Sequence, residues 1–547
     1  MPFSFLDIEA RKSRRIVLLF ITLLGFYFLS AFIIYNVVRI GFIFQSGFRT
    51  STSNAYALPV MLKIFGIALL VAVLHWMYSS INMVPRLLSV IGAKPIDPKD
   101  RYHFLFNNIV DEVSVAAGGM RIEPYVVPSR YCNAFALLDY KGNAVIGVTE
   151  GLLIKTNRRQ LEAVVAHEAS HLIWGDCLLA TVSCSIAAVY AGLLKVATSG
   201  WYGGSGSLYR RRGGIYPLMA MLVIVLFTMR VLTRLMNTWI SRERELRADA
   251  TAVRLTRNPL GLAEALYVIS TGWRGNRLPA EELGQIFIMN PRSSKLEESW
   301  GFFAGLFTTH PPIRKRIDIL LDMGHADYKT LESSVKQKER KYDETTVSTS
   351  ENSSIWYAQN EEKWHGPYTL FELSQLKWLD PFTWITMEND ERVKPAHEYK
   401  EINKMLKKGL SVDYRVQACP SCSQGLERIY HEGVPIWRCG SCKGRLVRRE
   451  HLQRIIVREE MAFSPRTKEL AGQIMEYSIK NKGKYIKKSE STLKCPACGN
   501  IMNRKLYDAV MPYRVEIDLC RLCGLIWFDR DELEVIEYLT EGSALDY

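Results

Sequence analysis

The chain has 547 residues, which at about 150 residues per domain predicts three or four folded units. Hydrophobic residues make up 48% and charged residues 23%, which excludes a mostly disordered chain, a collagen-like chain and a small disulfide-stabilised protein. The net charge is +14, and residues 443–494, with 14 basic and 6 acidic side chains, contribute +8 of it. Such a stretch attracts phosphate on nucleic acid or lipid headgroups, unless it is only a solvated linker.

Four long apolar runs lie in the first 240 residues. Runs 16–38 and 64–84, with 23 and 21 residues, are each long enough to cross a bilayer. No small-residue cleavage site follows the first run, so we expect a retained anchor rather than a signal peptide. Runs 177–194 and 213–229 are marginal spans.

Basic residues before the first run and after the second predict that both flanks lie in the cytoplasm. Arg210, Arg211 and Arg212, between the third and fourth runs, conflict with that topology. Either this loop crosses the membrane despite them, or the third and fourth runs form a hairpin that only partly penetrates.

An HExxH sequence is formed by His167, Glu168 and His171. Two histidines four positions apart share one face of a helix, so both imidazoles can bind one metal ion, and Glu168 lies beside the open position of that ion. The alternative is an amphipathic helix with ordinary histidines. It is disfavoured because a buried Glu168 would be costly without a charge partner.

A catalytic zinc ion with two histidine ligands needs a third protein ligand. The nearest suitable carboxylates follow the fourth run, in SRERELRAD at 241–249. Glu245 and Asp249 share a helical face, so Glu245 can bind the ion while Asp249 orients a ligand imidazole. Glu243 is a rival third ligand on spacing alone.

At this point the chain resembles the HtpX-type membrane metalloproteases, relatives of the CAAX prenyl endopeptidases. The resemblance extends to about residue 322 and rests on the paired N-terminal runs, NAF at 133–135, VTEGLL at 148–153, HEASH, SRERELRAD and HPPIRKRI at 310–317. It implies a zincin-type domain with Glu245 as third ligand and Asp249 behind the ligands.

The resemblance also implies that Asn133 and His310 contact the substrate backbone or the developing oxyanion. Asn133 could instead be a turn residue, and His310 could be a residue at a helix start. Apolar stretches at 125–127 and 144–148 predict strands. An open sheet edge near Asn133 would let an extended peptide bind by strand addition.

A polar linker at 331–354 precedes an aromatic segment. WY at 356–357, GPY at 366–368 and FELSQLKWLDPFTWI at 371–385 resemble a bacterial GYF-like domain, a protein-binding module that in some relatives takes proline-rich segments. The aromatic side chains could form such a surface, but in so small a domain we expect them mainly in the core.

Eight cysteines form two sets of paired Cys-x-x-Cys motifs, with 16 and 21 residues between the pairs. The sets are Cys419, Cys422, Cys439 and Cys442, then Cys495, Cys498, Cys520 and Cys523. This spacing predicts two zinc ribbons with structural zinc, related by an internal duplication. Disulfides are the alternative, disfavoured in a reducing cytoplasm.

The segment 520–536 resembles the transcription-factor-IIB-type ribbon, and the first copy departs from it. Leu446 and Arg448 stand where the second copy has Trp527 and Asp529, so we expect different partner surfaces. The three other cysteines are expected to be ordinary buried thiols; they are Cys132, Cys177 and Cys184.

The sequence therefore predicts a multi-domain protein with α-helical membrane spans, a mainly α zincin-type metalloprotease domain with a small sheet, a small α+β GYF-like domain and two zinc ribbons. The expected bounds are 1–95 for a transmembrane hairpin, 96–330 for the protease with a membrane hairpin at 177–236, 331–354 for the linker, 355–405 for the GYF-like domain, 416–455 and 494–540 for the ribbons, and 456–493 for a basic linker helix.

The expected function is a multi-pass inner-membrane zinc endopeptidase, with one catalytic and two structural zinc ions and with its catalytic and C-terminal domains in the cytoplasm. Its expected partners are the lipid bilayer and protein or peptide substrates, chiefly damaged membrane proteins, with protein partners at the GYF-like domain and ribbons. One alternative is a membrane-tethered adaptor that binds nucleic acid or protein, although no base-reading motif is present. Another is a protease-like scaffold without activity, which the intact HExxH and Glu245 argue against.

Overall fold

In the computed structural model of the chain, the described residues are 21, 24–25, 27–29, 31–32, 35–36, 39, 58–178, 180–181, 184, 242–271, 287–288, 313–335, 345–346, 355–388, 392–410, 412–459, 462–481, 484–485, 492–510 and 513–542. The chain divides into two compact units. The first comprises residues 1–98 and 102–338, and the second comprises residues 99–101 and 339–547.

The first unit begins with an apolar helix pair. Helix α1 (Leu58–Ser80) contains 21 residues of mean hydropathy 2.2, Leu58–Tyr78, and is the one helix of the described ranges that is long and apolar enough to cross a membrane. The described residues of the first apolar run are also helical and contact α1: Tyr27 is hydrogen-bonded to His75, and Phe28 packs on Phe65. The fourth run lies outside the described residues, as does most of the third.

A four-stranded sheet and a group of helices follow. The strands are β1 (Lys94–Pro95), β2 (Ile122–Val127), β3 (Ala134–Leu138) and β4 (Ala144–Thr149), in the order β1-β2-β4-β3. The helices are α2 (Met83–Ile91), α3 (Arg101–Ala116), α4 (Glu150–Lys155), α5 (Arg158–Ile173), α6 (Arg242–Thr256), α7 (Pro259–Thr271), α8 (Ile313–Gly324) and α9 (Tyr328–Ser334). The predicted strands at 125–127 and 144–148 correspond to parts of β2 and β4, which pair in parallel.

Strand β3 lies at the edge of this sheet, antiparallel to β4. Its five residues are all buried, and the backbone N–H of Ile288 donates to the carbonyl of Ala134 at 2.9 Å. Phe287 packs edge to face on Phe135, with ring centroids 5.5 Å apart. The sheet edge near Asn133 is therefore partly covered by the chain itself, at Ala134 and Phe135.

The second unit contains an aromatic module, residues 355–410. Its elements are β6 (Trp356–Asn360), β7 (Lys363–Tyr368), α10 (Leu370–Gln375), β8 (Trp384–Met387), β9 (Lys394–Pro395) and α11 (Lys400–Lys408), with sheet order β7-β6-β8-β9, after a short strand β5 (Thr345–Thr346). Trp356 is buried in the core, whereas Trp364, Phe382 and Trp384 are exposed. The aromatic side chains of this module are thus divided between its core and its surface.

The cysteine modules follow. Their elements are α12 (Val412–Arg415), β10 (Leu426–His431), β11 (Val434–Cys439), β12 (Arg445–Arg448), α13 (Arg449–Val457), α14 (Pro465–Lys480), β13 (Asn503–Val510), β14 (Tyr513–Leu519), β15 (Leu525–Phe528) and α15 (Glu532–Gly542). Helix α14 lies within 456–493, where a basic linker helix was expected, but Ala471 on it is fully buried in the core of the modules. It is therefore a packed element and not a free linker.

The two cysteine modules share one seven-stranded sheet, in the order β13-β14-β15-β12-β11-β10-β5. The third strand of each module, β12 or β15, pairs with the other antiparallel, and Leu446 lies opposite Trp527. These two residues occupy equivalent positions of the duplication, so the modules are related by an approximate two-fold axis at this pair. A Cβ on Gly444 would lie 2.2 Å from the Trp527 ring, which shows how closely the modules approach.

This pairing corrects one expectation from the sequence. The difference between Leu446 and Trp527 was expected to alter a partner surface, but both side chains are fully buried. The large side chain of Trp527 faces the smaller one of Leu446, so the two together fill the space between the modules.

Two charge pairs also join the modules. The Nε2 atom of His431, at the end of β10, lies 2.8 Å from Oε1 of Glu537 on α15, and both side chains are almost fully buried. Arg445 on β12 forms an ion pair with Glu534 on α15. Because a buried carboxylate is tolerated only with a partner, the His431 contact fixes how α15 packs on the first module.

We predict that Glu537→Ala loosens the junction, since it removes the buried partner of His431. Breaking a buried pair costs about 3–5 kcal/mol, so amide hydrogen exchange in β10 and α15 should speed up at least tenfold. Glu476→Ala is the matched control, because the Glu476–Lys480 pair on α14 is largely exposed and contributes less than about 1 kcal/mol. Equal exchange in the two variants would contradict a fused pair of modules.

Candidate active site

The HExxH helix, α5, starts with a capping box. The side chain of Asn157 accepts a hydrogen bond from the backbone of Gln160, whose side chain accepts one from the backbone of Asn157. The same Gln160 donates to Glu264 on α7 at 3.0 Å. The capping box fixes the first turn of α5 and so the direction in which the helix carries its histidines. Eleven of the sixteen residues of α5 are buried.

Three side chains from two helices converge at the centre of the first unit. His167 and His171 on α5 and Glu245 on α6 each offer one ligand atom, and these atoms lie within 4.8 Å of one another. The carboxylate oxygens of Glu245 lie 3.6 Å from Nε2 of His167 and 3.7 Å from Nε2 of His171. Ligands about 2.0–2.1 Å from a tetrahedral zinc ion are separated by about 3.3 Å, so the donor set fits zinc.

Asp249 fixes the orientation of the first histidine. Its Oδ1 lies 3.0 Å from Nδ1 of His167. A proton on Nδ1 that is donated to this carboxylate leaves Nε2 free to bind a metal ion. The structure therefore places Asp249 beside the ring nitrogen of His167 that does not face Glu245.

Arg316 on α8 is a further member of the site that we did not identify from the sequence. Its side chain is fully buried, and its Nε and Nη2 atoms donate to the two carboxylate oxygens of Asp249 at 2.8 and 2.7 Å. Its Nη1 lies 3.1 Å from Glu245. One guanidinium thus bridges two buried carboxylates, which is the geometry that arginine favours.

A weak sequence signal for Arg316 does exist. Residues Ile313, Ile317 and Leu320 form the buried face of α8, and Arg316 falls on that same face. A charged residue at a core position of an amphipathic helix requires a buried partner of opposite charge.

Burial and neighbouring groups shift the pKa values of three titratable side chains of the site. Burial would lower the pKa of His167, but hydrogen bonds to Asp249 and Glu245 outweigh it and raise the pKa to about 9. Burial lowers the pKa of His171 to about 4. Burial also raises the pKa of Glu168, which is 2% exposed, to about 8. A metal ion binds the deprotonated imidazoles and so competes with these protons.

The other candidate residues are less closely tied to this group. Asn133 is buried just before β3, where its backbone N–H donates to the hydroxyl of Thr149 and its Oδ1 accepts from the backbone of Ala134. These contacts fit a residue that fixes the strand end, so a contact with substrate stays a prediction. His310 lies outside the described residues, and so does the side chain of Glu243.

Each cysteine module also brings four thiols together, within 4.8 Å of one another. In the first module, Sγ of Cys419 lies 3.6 Å from that of Cys442, and Sγ of Cys422 lies 3.4 Å from that of Cys439. These separations exceed the ~2.05 Å of a disulfide bond and approach the ~3.8 Å expected around a tetrahedral zinc–thiolate site. The three remaining cysteines are buried, as expected.

Two family models match parts of the chain. A family model described as peptidase family M48 matches residues 106–323. A model described as a transcription factor zinc-finger matches residues 418–458. The second match covers the first cysteine module, which we had expected to depart from that pattern.

Known proteases resemble this chain over part of its length. A protease HtpX homolog of Thermoanaerobacter pseudethanolicus is 36% identical over 234 residues, which cover 42% of this chain and 75% of the relative. One of Dictyoglomus turgidum is 32% identical over 327 residues, 59% of this chain and 96% of the relative. One of Trichormus variabilis is 33% identical over 264 residues, 47% of this chain and 85% of the relative. No solved structure matches this chain.

We predict that Arg316→Ala weakens metal retention, because the buried carboxylates of Asp249 and Glu245 lose the guanidinium that compensates them in the metal-free chain and holds them beside the histidines. Leaving such charges uncompensated costs about 3–5 kcal/mol. Thermal unfolding and zinc per chain after dialysis against a chelator measure the effect. Lys315→Ala, an exposed neighbour on the same helix, is the control and should match the wild type. Wild-type zinc retention in Arg316→Ala would show that the bridge is dispensable.

Proposed function

Since this chain belongs to peptidase family M48, among the HtpX-type proteases, we propose that it is a zinc-dependent endopeptidase with His167, His171 and Glu245 as the metal ligands. The observation that carries the proposal is the convergence of these three side chains, with Glu168 one position after the first ligand. When bound, a zinc ion supplies Lewis acidity toward the scissile carbonyl and lowers the pKa of water.

Glu168 is the proposed general base and acid. It accepts a proton from the attacking water and later delivers it to the leaving amine. Its burial supports this role, because a raised pKa brings the carboxylate close to the pH at which it can both accept and release a proton. Asn133 and His310 are the proposed contacts of the substrate backbone and the developing oxyanion.

The proposed location is the inner membrane, with several spans and with the catalytic and C-terminal domains in the cytoplasm. The apolar helix α1, which the helical residues of the first run contact, supports a membrane hairpin. The proposed substrates are damaged or misassembled membrane proteins, which such a location would bring to the site. Membrane-protein quality control is the corresponding role.

The second unit is proposed to recruit substrates or partners. The aromatic module (proposed GYF-like) presents Trp364, Phe382 and Trp384 to solvent, and such exposed aromatic side chains are typical of peptide-binding surfaces. The two cysteine modules are proposed zinc ribbons with one structural zinc ion each. Together with the catalytic site, this gives three zinc ions per chain.

We predict that Glu168→Gln keeps its zinc and loses peptide-bond cleavage, because the amide is similar in size but cannot transfer the proton. General acid–base catalysis contributes about 10²–10⁴-fold, so kcat/KM for casein should fall at least 100-fold in detergent-purified protein. Glu162→Gln, also on α5, is the matched control and should cleave normally. Cleavage by Glu168→Gln at the wild-type rate would remove Glu168 from the mechanism.

We predict that Cys520→Ser lowers the zinc content from three ions per chain to two, because a four-thiolate site loses a ligand. Hydrolysis of a short peptide should be unchanged, whereas cleavage of a membrane-protein substrate should fall. Arg521→Ala, an exposed residue of the same turn, is the control for both measurements. Loss of short-peptide hydrolysis in Cys520→Ser would instead make the cysteine module part of the catalytic unit.

A further inference from the structure

The third metal ligand reaches the site on a separate helix. Glu245 follows His171 by 74 positions (245 − 171), so the covalent chain does not fix their separation locally. The packing of α5 against α6 must do so. Small side chains such as Ala169 and Ala252 are buried in the same core cluster. Contacts of this kind are non-directional, so they bring two helices together without fixing one against sliding along the other.

A directional set of contacts lies at the end of α5, just beyond the histidines. Asp176, which is 5% exposed, accepts a hydrogen bond from Nη2 of Arg247 at 2.5 Å, and Nε of Arg244 lies 3.8 Å away. The guanidinium of Arg247 also lies over the ring of Trp174, 4.7 Å from its centroid. Charge-assisted hydrogen bonds and cation–π contacts are directional, so they resist a shift of register.

Two further hydrogen bonds join Trp174 to α6 through Thr251. Nε1 of Trp174 donates to the hydroxyl of Thr251 at 3.1 Å, and this hydroxyl donates to the backbone carbonyl of Arg247 at 2.9 Å. Asp176 and Trp174 therefore contact two successive turns of α6, at Arg247 and at Thr251.

The position of these residues on α6 links them to the metal site. Arg244, Arg247 and Thr251 follow one another at helical spacing and form one stripe. Glu245 and Asp249 form the adjacent stripe of the same helix. A slide or rotation of α6 that broke the first stripe would displace the carboxylates of the second.

We infer that Trp174, Asp176, Arg247 and Thr251 form a latch that sets the register of α6 against α5 and so positions Glu245 for the metal ion. These are positioning residues, because they are proposed to act on the metal ion through the placement of Glu245. The inference rests on the proposed metal ligands of the peptidase, but not on catalysis itself.

The test is the zinc affinity of the full chain in detergent, measured by competition with a chelator. The relevant zinc ion is identified as the one that a His171→Ala variant lacks. Asp176→Asn and Arg247→Gln should each raise the dissociation constant of this ion by about 10-fold or more, as loss of supporting groups around metal ligands does. The double variant should be no weaker than the weaker single variant, since either change opens the same latch. Saturating zinc should restore much of kcat with little change in KM.

Controls separate the latch from a general loss of structure. Arg247→Lys keeps the charge beside Asp176 but loses the flat contact over Trp174, so its affinity should lie between wild type and Arg247→Gln. Arg158→Gln breaks an exposed pair with Glu112 at the other end of α5 and should bind zinc normally. The two ions in the cysteine modules should be retained in every variant.

Two results would overturn the latch. One is wild-type zinc affinity in Asp176→Asn and Arg247→Gln. The other is an activity loss in these variants that saturating zinc does not restore. A wild-type chain that binds the ion but cleaves nothing would contradict the proposed function alone, because the zinc affinities of the variants would still decide on the latch.

Discussion

The first unit depends on burying several ionisable groups of opposite charge close to one another. Each carboxylate that approaches the two histidines would be strongly disfavoured alone, because ionised groups lose their hydration in the interior. Arg316 offsets this cost by bridging Asp249 and Glu245, and Asp249 also holds His167. The metal site thus requires α5, α6 and α8 at once. A pair of histidines on one helix becomes a candidate catalytic centre only when the other two helices supply their charges.

A related constraint operates in the second unit. The buried contact between His431 and Glu537 crosses from one cysteine module to the other, as does the pairing of β12 with β15. Several side chains of the basic stretch are used in the same packing: Arg445 pairs with Glu534 and Arg448 with Asp413. The positive charge of this stretch is therefore partly neutralised within the unit.

The sequence was informative where the relevant spacing is short. Helical periodicity alone places His167 and His171 on one face, and it gives Glu245 and Asp249 as a pair. It does not pair distant segments. Arg316 lies 67 positions after Asp249 (316 − 249), and only its place among buried residues hints at its role. The contact of Ile288 with β3 and the junction of β12 with β15 could not be predicted for the same reason, since neither has a local signature.

The central claim is that Glu245 completes a zinc site with the two histidines, and anomalous X-ray diffraction at the zinc absorption edge tests it most directly. The account predicts one peak about 2.0–2.2 Å from Nε2 of His167, Nε2 of His171 and an oxygen of Glu245, in addition to one peak in each cysteine cluster. A peak held by the histidines, with no carboxylate oxygen of Glu245 or of any other residue among its ligands, would contradict it.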